Sequence, residues 1–276
     1  MIITMEQIDG YRQTLEYEEK SRHTIEKYVR DVRAFIDYVN EDQLNKDTVI
    51  GYKNHLIEVG YAVESINSML AAVNSFLHFI GREDCRVKHV RAQRKVYNSE
   101  DKELSKEEYI RLLHAAEGNS RLYMILETIC ATGIRVSELK YFTVEEVVGG
   151  EVRVSCKNKT RIILLPARLR KKLMVYAGKQ GIIRGFIFRT AGGRPVDRSN
   201  IWTMMKRLCK KANVNPAKVY PHNLRKLFAR TFYKIEKDIA RLADLLGHSN
   251  INTTRIYLMT TSAEHLRKIE SLGLVL

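Results

Sequence analysis

The chain has 276 residues, 45% of them hydrophobic, enough for one large or two ordinary folded domains. Its formal net charge is +15 and unevenly spread: residues 1–100 hold 14 Lys and Arg against 16 Asp and Glu (−2), residues 101–276 hold 33 against 16 (+17). A basic half of that size points to a polyanion, most often nucleic acid, although charge alone also fits a soluble basic protein without such a partner. The four cysteines, Cys85, Cys130, Cys156 and Cys209, have no CxxC spacing, which argues against a disulfide framework or a zinc site. No signal-type or membrane-length apolar run occurs, so a reduced, cytoplasmic protein without a membrane partner is expected.

The first part reads as helices. A short helix is expected over Met5 to Tyr17. From Thr24 to Val39, apolar residues at Ile25, Tyr28, Val29, Val32, Phe35, Ile36 and Val39 recur at helical spacing. Asp47 or Thr48 suits the cap of a third helix that Gly60 stops, and Ser65 to Ile80 forms a fourth, ended by Gly81. Four helices with short connections make a small bundle, and their apolar stripes suit its core better than a base-stacking surface. Residues 86–95 come next, with five basic side chains, Arg86, Lys88, Arg91, Arg94 and Lys95, and no acid. Such a segment suits a linker, solvated or lying over successive phosphates.

In the basic half, Ser105 suits a helix cap, and Glu107 and Glu108 suit the positive end of the helix. A second helix over about Arg121 to Ala131 buries Leu122, Ile125, Leu126 and Ile129 and stops at Gly133. Ser137 is placed to cap the next helix, which leaves Arg135 in a tight turn. Glu151–Cys156 and Arg161–Pro166 read as paired strands, with Lys157, Asn158, Lys159 and Thr160 as the turn. A basic helix at 167–178, a short strand over Phe186–Arg189 and a helix ending near Ala212 come next. The last of these carries Lys206, Arg207, Lys210 and Lys211, a run suited to phosphates or to solvent.

The stretch from Tyr220 to Tyr257 is the most informative. His222 and Arg225 are three apart and so share a helix face. Leu245-Leu246-Gly247-His248-Ser249 then places a glycine C-cap before His248. Asn252 suits an N-cap for a short helix carrying Thr253, Thr254 and Tyr257. A last helix and the apolar tail Leu272–Leu276 close the chain.

These strings resemble the tyrosine recombinases, the family of phage integrases and bacterial Xer recombinases. HxxR, LLGHS and TTxxY, with the tyrosine nine residues after His248, are similar to the family's C-terminal signature, and ATGIRVSEL resembles its first arginine motif. The resemblance is specific over about residues 104–258 and loose before that. It implies a mainly α protein with an N-terminal four-helix (SAM-like) core-binding bundle at 1–85. A basic linker occupies 86–102, then an α-rich tyrosine-recombinase catalytic domain with a small antiparallel β-sheet spans 103–276. The implied catalytic set is Arg135, Lys157, His222, Arg225, His248 and Tyr257. Lys159 competes with Lys157, because Cys156 replaces a common glycine and the turn is one residue short. Lys226 stands where a second histidine is common.

In the implied reaction Tyr257 attacks phosphorus to give a 3′-phosphotyrosine. Two guanidinium forks bind the non-bridging oxygens, the hairpin lysine protonates the leaving 5′-oxygen, and His222 handles the phenol proton. His248 hydrogen-bonds a phosphate oxygen. No cofactor is implied. The implied partners are double-stranded DNA with inverted core sites, a homo-tetramer on that DNA and an accessory protein. Arg86, Lys88, Arg91, Arg94, Lys95 and Lys159 are candidate DNA contacts. The chain begins close to the core-binding domain, so an arm-type DNA-binding domain is not expected, and the tail docks in its own subunit or in a neighbour.

Other readings carry less of the sequence. A metal-dependent nuclease needs clustered carboxylates or HExxH, and ATP use needs a Walker A string; none is present. A non-catalytic DNA-binding protein on the same scaffold has no need of the nucleophile. A type IB topoisomerase shares the chemistry but not the LLGHS and TTxxY strings.

Overall fold

A computed structural model of the chain describes residues 5–40, 44–91, 103–156, 159–259 and 262–274. It divides into two compact units, residues 1–94 and 95–276.

The first unit holds α1 (Met5–Tyr17), α2 (Arg22–Val39), α3 (Lys46–Glu58) and α4 (Val63–Phe79). The apolar stripes form its interior: Val29, Val32 and Phe35 of α2 are buried with Leu70, Val73 and Phe76 of α4. Three starts differ from expectation. α2 begins at Arg22, because the Ser21 hydroxyl accepts from the Thr24 N–H. α3 is capped by Asn45, whose Oδ1 accepts from Thr48 N–H at 2.9 Å, rather than by Asp47 or Thr48. α4 begins at Val63 with no side-chain cap. In a cluster of polar residues the cap is the side chain that reaches the N2 or N3 amide, and that choice is geometric. Residues 87–90 lie along α4: Asn74 pairs with both the N–H and C=O of Val87, and Asn67 does the same for Val90. The described part of the expected linker is therefore held on the bundle.

The second unit runs α5 (Lys106–Ala115), α6 (Ser120–Thr132), a 3-10 turn (Val136–Tyr141) and α7 (Val144–Gly149). Next come β1 (Glu151–Cys156), β2 (Lys159–Leu164), α8 (Ala167–Lys179), α9 (Arg198–Ala212) and α10 (Pro221–Glu236). α11 (Ile239–Leu246), α12 (Ile251–Leu258) and α13 (Ser262–Glu270) close it. Ser105 caps α5, as the sequence indicated, and does so in a reciprocal pair with Glu108. The core gathers Ile125 and Ile129 of α6, Leu173 of α8, Met205 of α9 and Leu224 of α10.

β1 and β2 are antiparallel, with Val152 opposite Ile163 and Val154 opposite Arg161. β2 begins at Lys159, two residues before the expected Arg161, since Cys156 pairs with Lys159. Val152, Val154 and Ile163 fill the buried face, so period two also puts Arg161 on that face. Phe186–Arg189 is not a strand among the described residues; isolated bridges, Thr143 to Phe186 and Arg189 to Pro195, replace it. Ser137 lies inside the 3-10 turn, two positions past its cap Arg135, and Glu138 accepts the Arg135 N–H at 2.7 Å instead. Asn250 rather than Asn252 caps α12, its Oδ1 accepting from Asn252 N–H at 2.8 Å. No helix among the described residues is long and apolar enough to cross a membrane, and they hold no cluster of metal-ligand type.

Candidate active site

The site forms where α6, α10, α11 and α12 end or begin. α6 stops at Gly133 (φ +64°), and a Cβ there would meet the Phe228 ring at 2.3 Å. α11 stops at Gly247 (φ +64°), where a Cβ would meet Arg161 Cδ at 2.6 Å. Both positions therefore require glycine, for the left-handed backbone and for the close approach.

Helix C-termini carry a partial negative charge and unpaired carbonyls, and cations are favourable there. At the end of α11 three arginines from three elements take three consecutive carbonyls. Arg161 of β2 donates Nη1–H to Leu245 O at 2.5 Å, and Arg225 of α10 donates Nη2–H to Leu246 O at 2.6 Å. Arg135 donates Nη2–H to Gly247 O at 3.2 Å. Glu138, itself buried, closes the group: it accepts from Arg135 Nη1 at 3.1 Å and from Arg161 Nη2 at 2.5 Å. Neither Glu138 nor Arg161 stands out in the sequence as a site residue. Glu138 lies three after Arg135 in ATGIRVSEL, a legible spacing; Arg161 leaves no local signal.

Arg225 is only 1% exposed. Its Nη1 also donates to Gly133 O at 2.5 Å, while its Nε has no partner among the described residues. Burial, with Arg135 nearby, pushes its pKa down to about 10, opposed by the hydrogen-bonded Tyr257; it remains charged at neutral pH. Arg225 Nη2 lies 2.9 Å from His248 Nε2. A guanidinium only donates, so Nε2 accepts, and the ring proton sits on Nδ1, 2.9 Å from Thr254 Oγ1. His248 is thus a neutral brace for Arg225, with both ring nitrogens engaged within the chain. Thr254, fully buried, is a third residue to which sequence reading gives no role.

Tyr257 is 4% exposed. Its ring meets His222 edge-on at 4.9 Å between centroids and His248 at 5.1 Å. The pKa of each histidine is pushed down to about 4. For His222 desolvation leads, followed by Lys226, Arg225, Arg135 and Arg198; for His248 desolvation leads, followed by Arg225 and Arg135. Both imidazoles are neutral at pH 7.

Arg135, His222, Arg225, His248 and Tyr257 are therefore brought together. Arg135, His222 and Arg225 also line a cleft of about 680 Å³, which residues at the start of α9 line as well. Lys157 lies outside the described residues, as do Arg94 and Lys95. The backbone of Lys159 opens β2. Arg86, Lys88 and Arg91 are exposed on the first unit, Arg86 paired with Glu83.

Residues 102–264 match the phage integrase family, and residues 8–84 match the SAM-like N-terminal domain of phage integrases. Tyrosine recombinase XerA of Thermococcus kodakarensis is 31% identical over 96% of this chain and 94% of its own. A crystal structure of XerA recombinase superposes with a TM-score of 0.55 at 26% identity, covering 98% of both chains. A lambda integrase dimer bound to a core site gives 0.73 at 19% identity over 93% of this chain and 77% of that one, a likeness of fold. The chain belongs to the phage integrase family, the tyrosine recombinases. Its activity is site-specific recombination, the cutting and rejoining of DNA through a catalytic tyrosine.

Proposed function

We propose that Tyr257 is the nucleophile and that it works in the site of its own subunit. The packing of its ring between His222 and His248 and against Arg225 of the same chain carries this reading. The phenol oxygen attacks phosphorus while His222 takes its proton, as a neutral imidazole can. The bond from phosphorus to the 5′-oxygen breaks, leaving a 3′-phosphotyrosine. The 5′-oxygen leaves with a proton from the hairpin lysine, Lys157 or Lys159. Arg135 and Arg225 bind the non-bridging oxygens as charge builds there; donors of this kind are worth about 3–4 kcal/mol each. His248 and Glu138 hold those two guanidinium groups in place. The phosphotyrosine keeps the bond energy, so attack by a 5′-hydroxyl of the partner strand rejoins the DNA without a cofactor.

The substrate in this reading is duplex DNA with inverted core sites, bound by four subunits, with or without an accessory protein. Residues 1–85 grip the DNA, 86–102 cross it and 103–276 cut it. Exposed Leu272 and Leu274, at 62% and 82%, suit docking of the tail on a neighbouring subunit. The test is a nicked suicide duplex bearing the protein's own site. The wild-type chain should give an adduct that survives SDS, and Tyr257→Phe should give none. An adduct that persists in Tyr257→Phe would remove Tyr257 from this role; binding without any adduct would favour a non-catalytic DNA-binding protein.

A further inference from the structure

Arg161 has no part in the proposed chemistry, and stability does not account for it. It lies on the face of the hairpin that holds Val152, Val154 and Ile163, all buried. Its own side chain is only 16% exposed, and its Nε has no acceptor among the described residues. A buried charge with an unmet donor is a cost, and an apolar side chain in such a place is often as stable or more so.

Its contacts lead to Arg135. That guanidinium is partly exposed and has two anchors, Glu138 Oε1 at 3.1 Å and Gly247 O at 3.2 Å. Arg161 holds both anchors. Its Nη2 donates to the other oxygen of Glu138 at 2.5 Å, and its Nη1 donates to Leu245 O at 2.5 Å, two residues before Gly247. Its stem runs against Gly247 itself, where a Cβ would lie 2.6 Å from Cδ and 3.0 Å from Nε. Arg225 has no such dependence, because it is buried and has Gly133 O, Leu246 O and His248 Nε2 as its own acceptors. Three guanidinium groups thus gather around Glu138, an excess of positive charge that a phosphate offsets.

We propose that Arg161 is a positioning residue: it fixes Glu138 and the Gly247 peptide, and through them holds the Arg135 guanidinium on one non-bridging oxygen of the phosphate that is cut. This deepens the proposed reading of the site and rests on it, since Arg135 must be a phosphate donor. Arg161 itself meets neither phosphorus nor its oxygens. As Tyr257 attacks, charge grows on the oxygen that Arg135 holds, and a donor displaced by about 1 Å forfeits about a hundredfold in rate.

The test uses the full chain and the nicked suicide duplex in three forms. One has an ordinary phosphate at the cut; the other two are the methylphosphonate diastereomers, each with a methyl group in place of one non-bridging oxygen and its charge. The rate of adduct formation at saturating DNA is read for each variant relative to the wild type on the same duplex. On the phosphate, Arg161→Met should be slower by about a hundredfold, the cost of a misplaced donor, and Arg135→Ala slower still. On the diastereomer that lacks the oxygen held by Arg135, both defects should largely vanish; on the other diastereomer both should persist. Arg161→Lys keeps the charge beside Glu138 but cannot fork to Leu245 O as well, so it should regain part of the rate on the phosphate. Damage to the fold slows all three duplexes together. An equal Arg161→Met defect on all three would therefore overturn the proposal, as would a wild-type rate on the phosphate. If Arg161→Met does not fold, the same comparison made with Arg161→Lys decides by the same criteria. A wild type that forms no adduct on any duplex would remove the reading of Tyr257, and the proposal with it; a wild-type adduct with an even profile for the variant removes the proposal alone.

Discussion

At Arg225 a charge is buried, and the surrounding groups are arranged to meet it. Gly133 O, Leu246 O and His248 Nε2 are its acceptors, and only a planar fork reaches all three. Burial, and after it the same field, keeps His222 and His248 neutral, and this has a pH consequence. Their folded pKa, about 4, lies below the ordinary 6.5, so the unfolded chain binds more protons between those values. Stability should be full above about pH 6.5 and fall as the pH drops toward 4. Histidine ring resonances should titrate near 4 in the free protein and move up when DNA phosphates enter. Midpoints near 6.5 would contradict the site geometry. Glu138 makes the second residue-scale case. Glu138→Gln leaves two guanidinium groups without their counter-ion, and breaking a buried pair costs about 3–5 kcal/mol. Denaturant unfolding should show a loss near the lower figure, because Arg135 is partly exposed and screened. The sequence made His222, Arg225, His248 and Tyr257 legible, since each lies in a short string with its own spacing. It could not pair Glu138 with Arg161, because that contact joins two elements and leaves no local pattern.

The elements themselves were largely legible from apolar period and from glycine stops, and Gly133 and Gly247 ended the helices that carry the site. What the sequence did not convey is why these stops must be glycine. The +64° backbone at Gly133 is one reason, and the Phe228 ring 2.3 Å from where a Cβ would sit is another. Gly133→Ala should therefore cost more than the roughly 1 kcal/mol of a left-handed alanine alone. Phe228→Leu should recover part of that loss, because it removes the clash and leaves the backbone cost. Thermal melts of the single and double variants read the coupling directly, and strictly additive losses would rule out the clash. The capping errors share one cause. Asn250 and Asn252, or Asn45 and Asp47, are equally good caps by type, and only the path of the preceding chain decides which side chain meets an amide.

For the whole molecule, net charge is a poor guide to which cations face DNA. The basic run on α9 shows why. Lys206 donates to Pro216 O and stacks 5.3 Å from the Trp202 ring, and Lys211 donates to Ala115 O at 3.2 Å. Both hold the second unit together, a role apart from the two the sequence offered for the run, phosphates or solvent. Arg207 and Lys210 are exposed, with no ion pair or side-chain hydrogen bond found among the described residues. Counterion release makes this division measurable, since each phosphate neutralised adds about 0.9 to the slope of log affinity against log salt. Arg207→Gln and Lys210→Gln should each lower that slope by up to about one and leave the melting temperature unchanged. Lys206→Gln and Lys211→Gln should lower the melting temperature and leave the slope alone. If all four lower the slope equally, the carbonyl contacts of Lys206 and Lys211 give way when DNA binds, and the whole run faces the backbone after all.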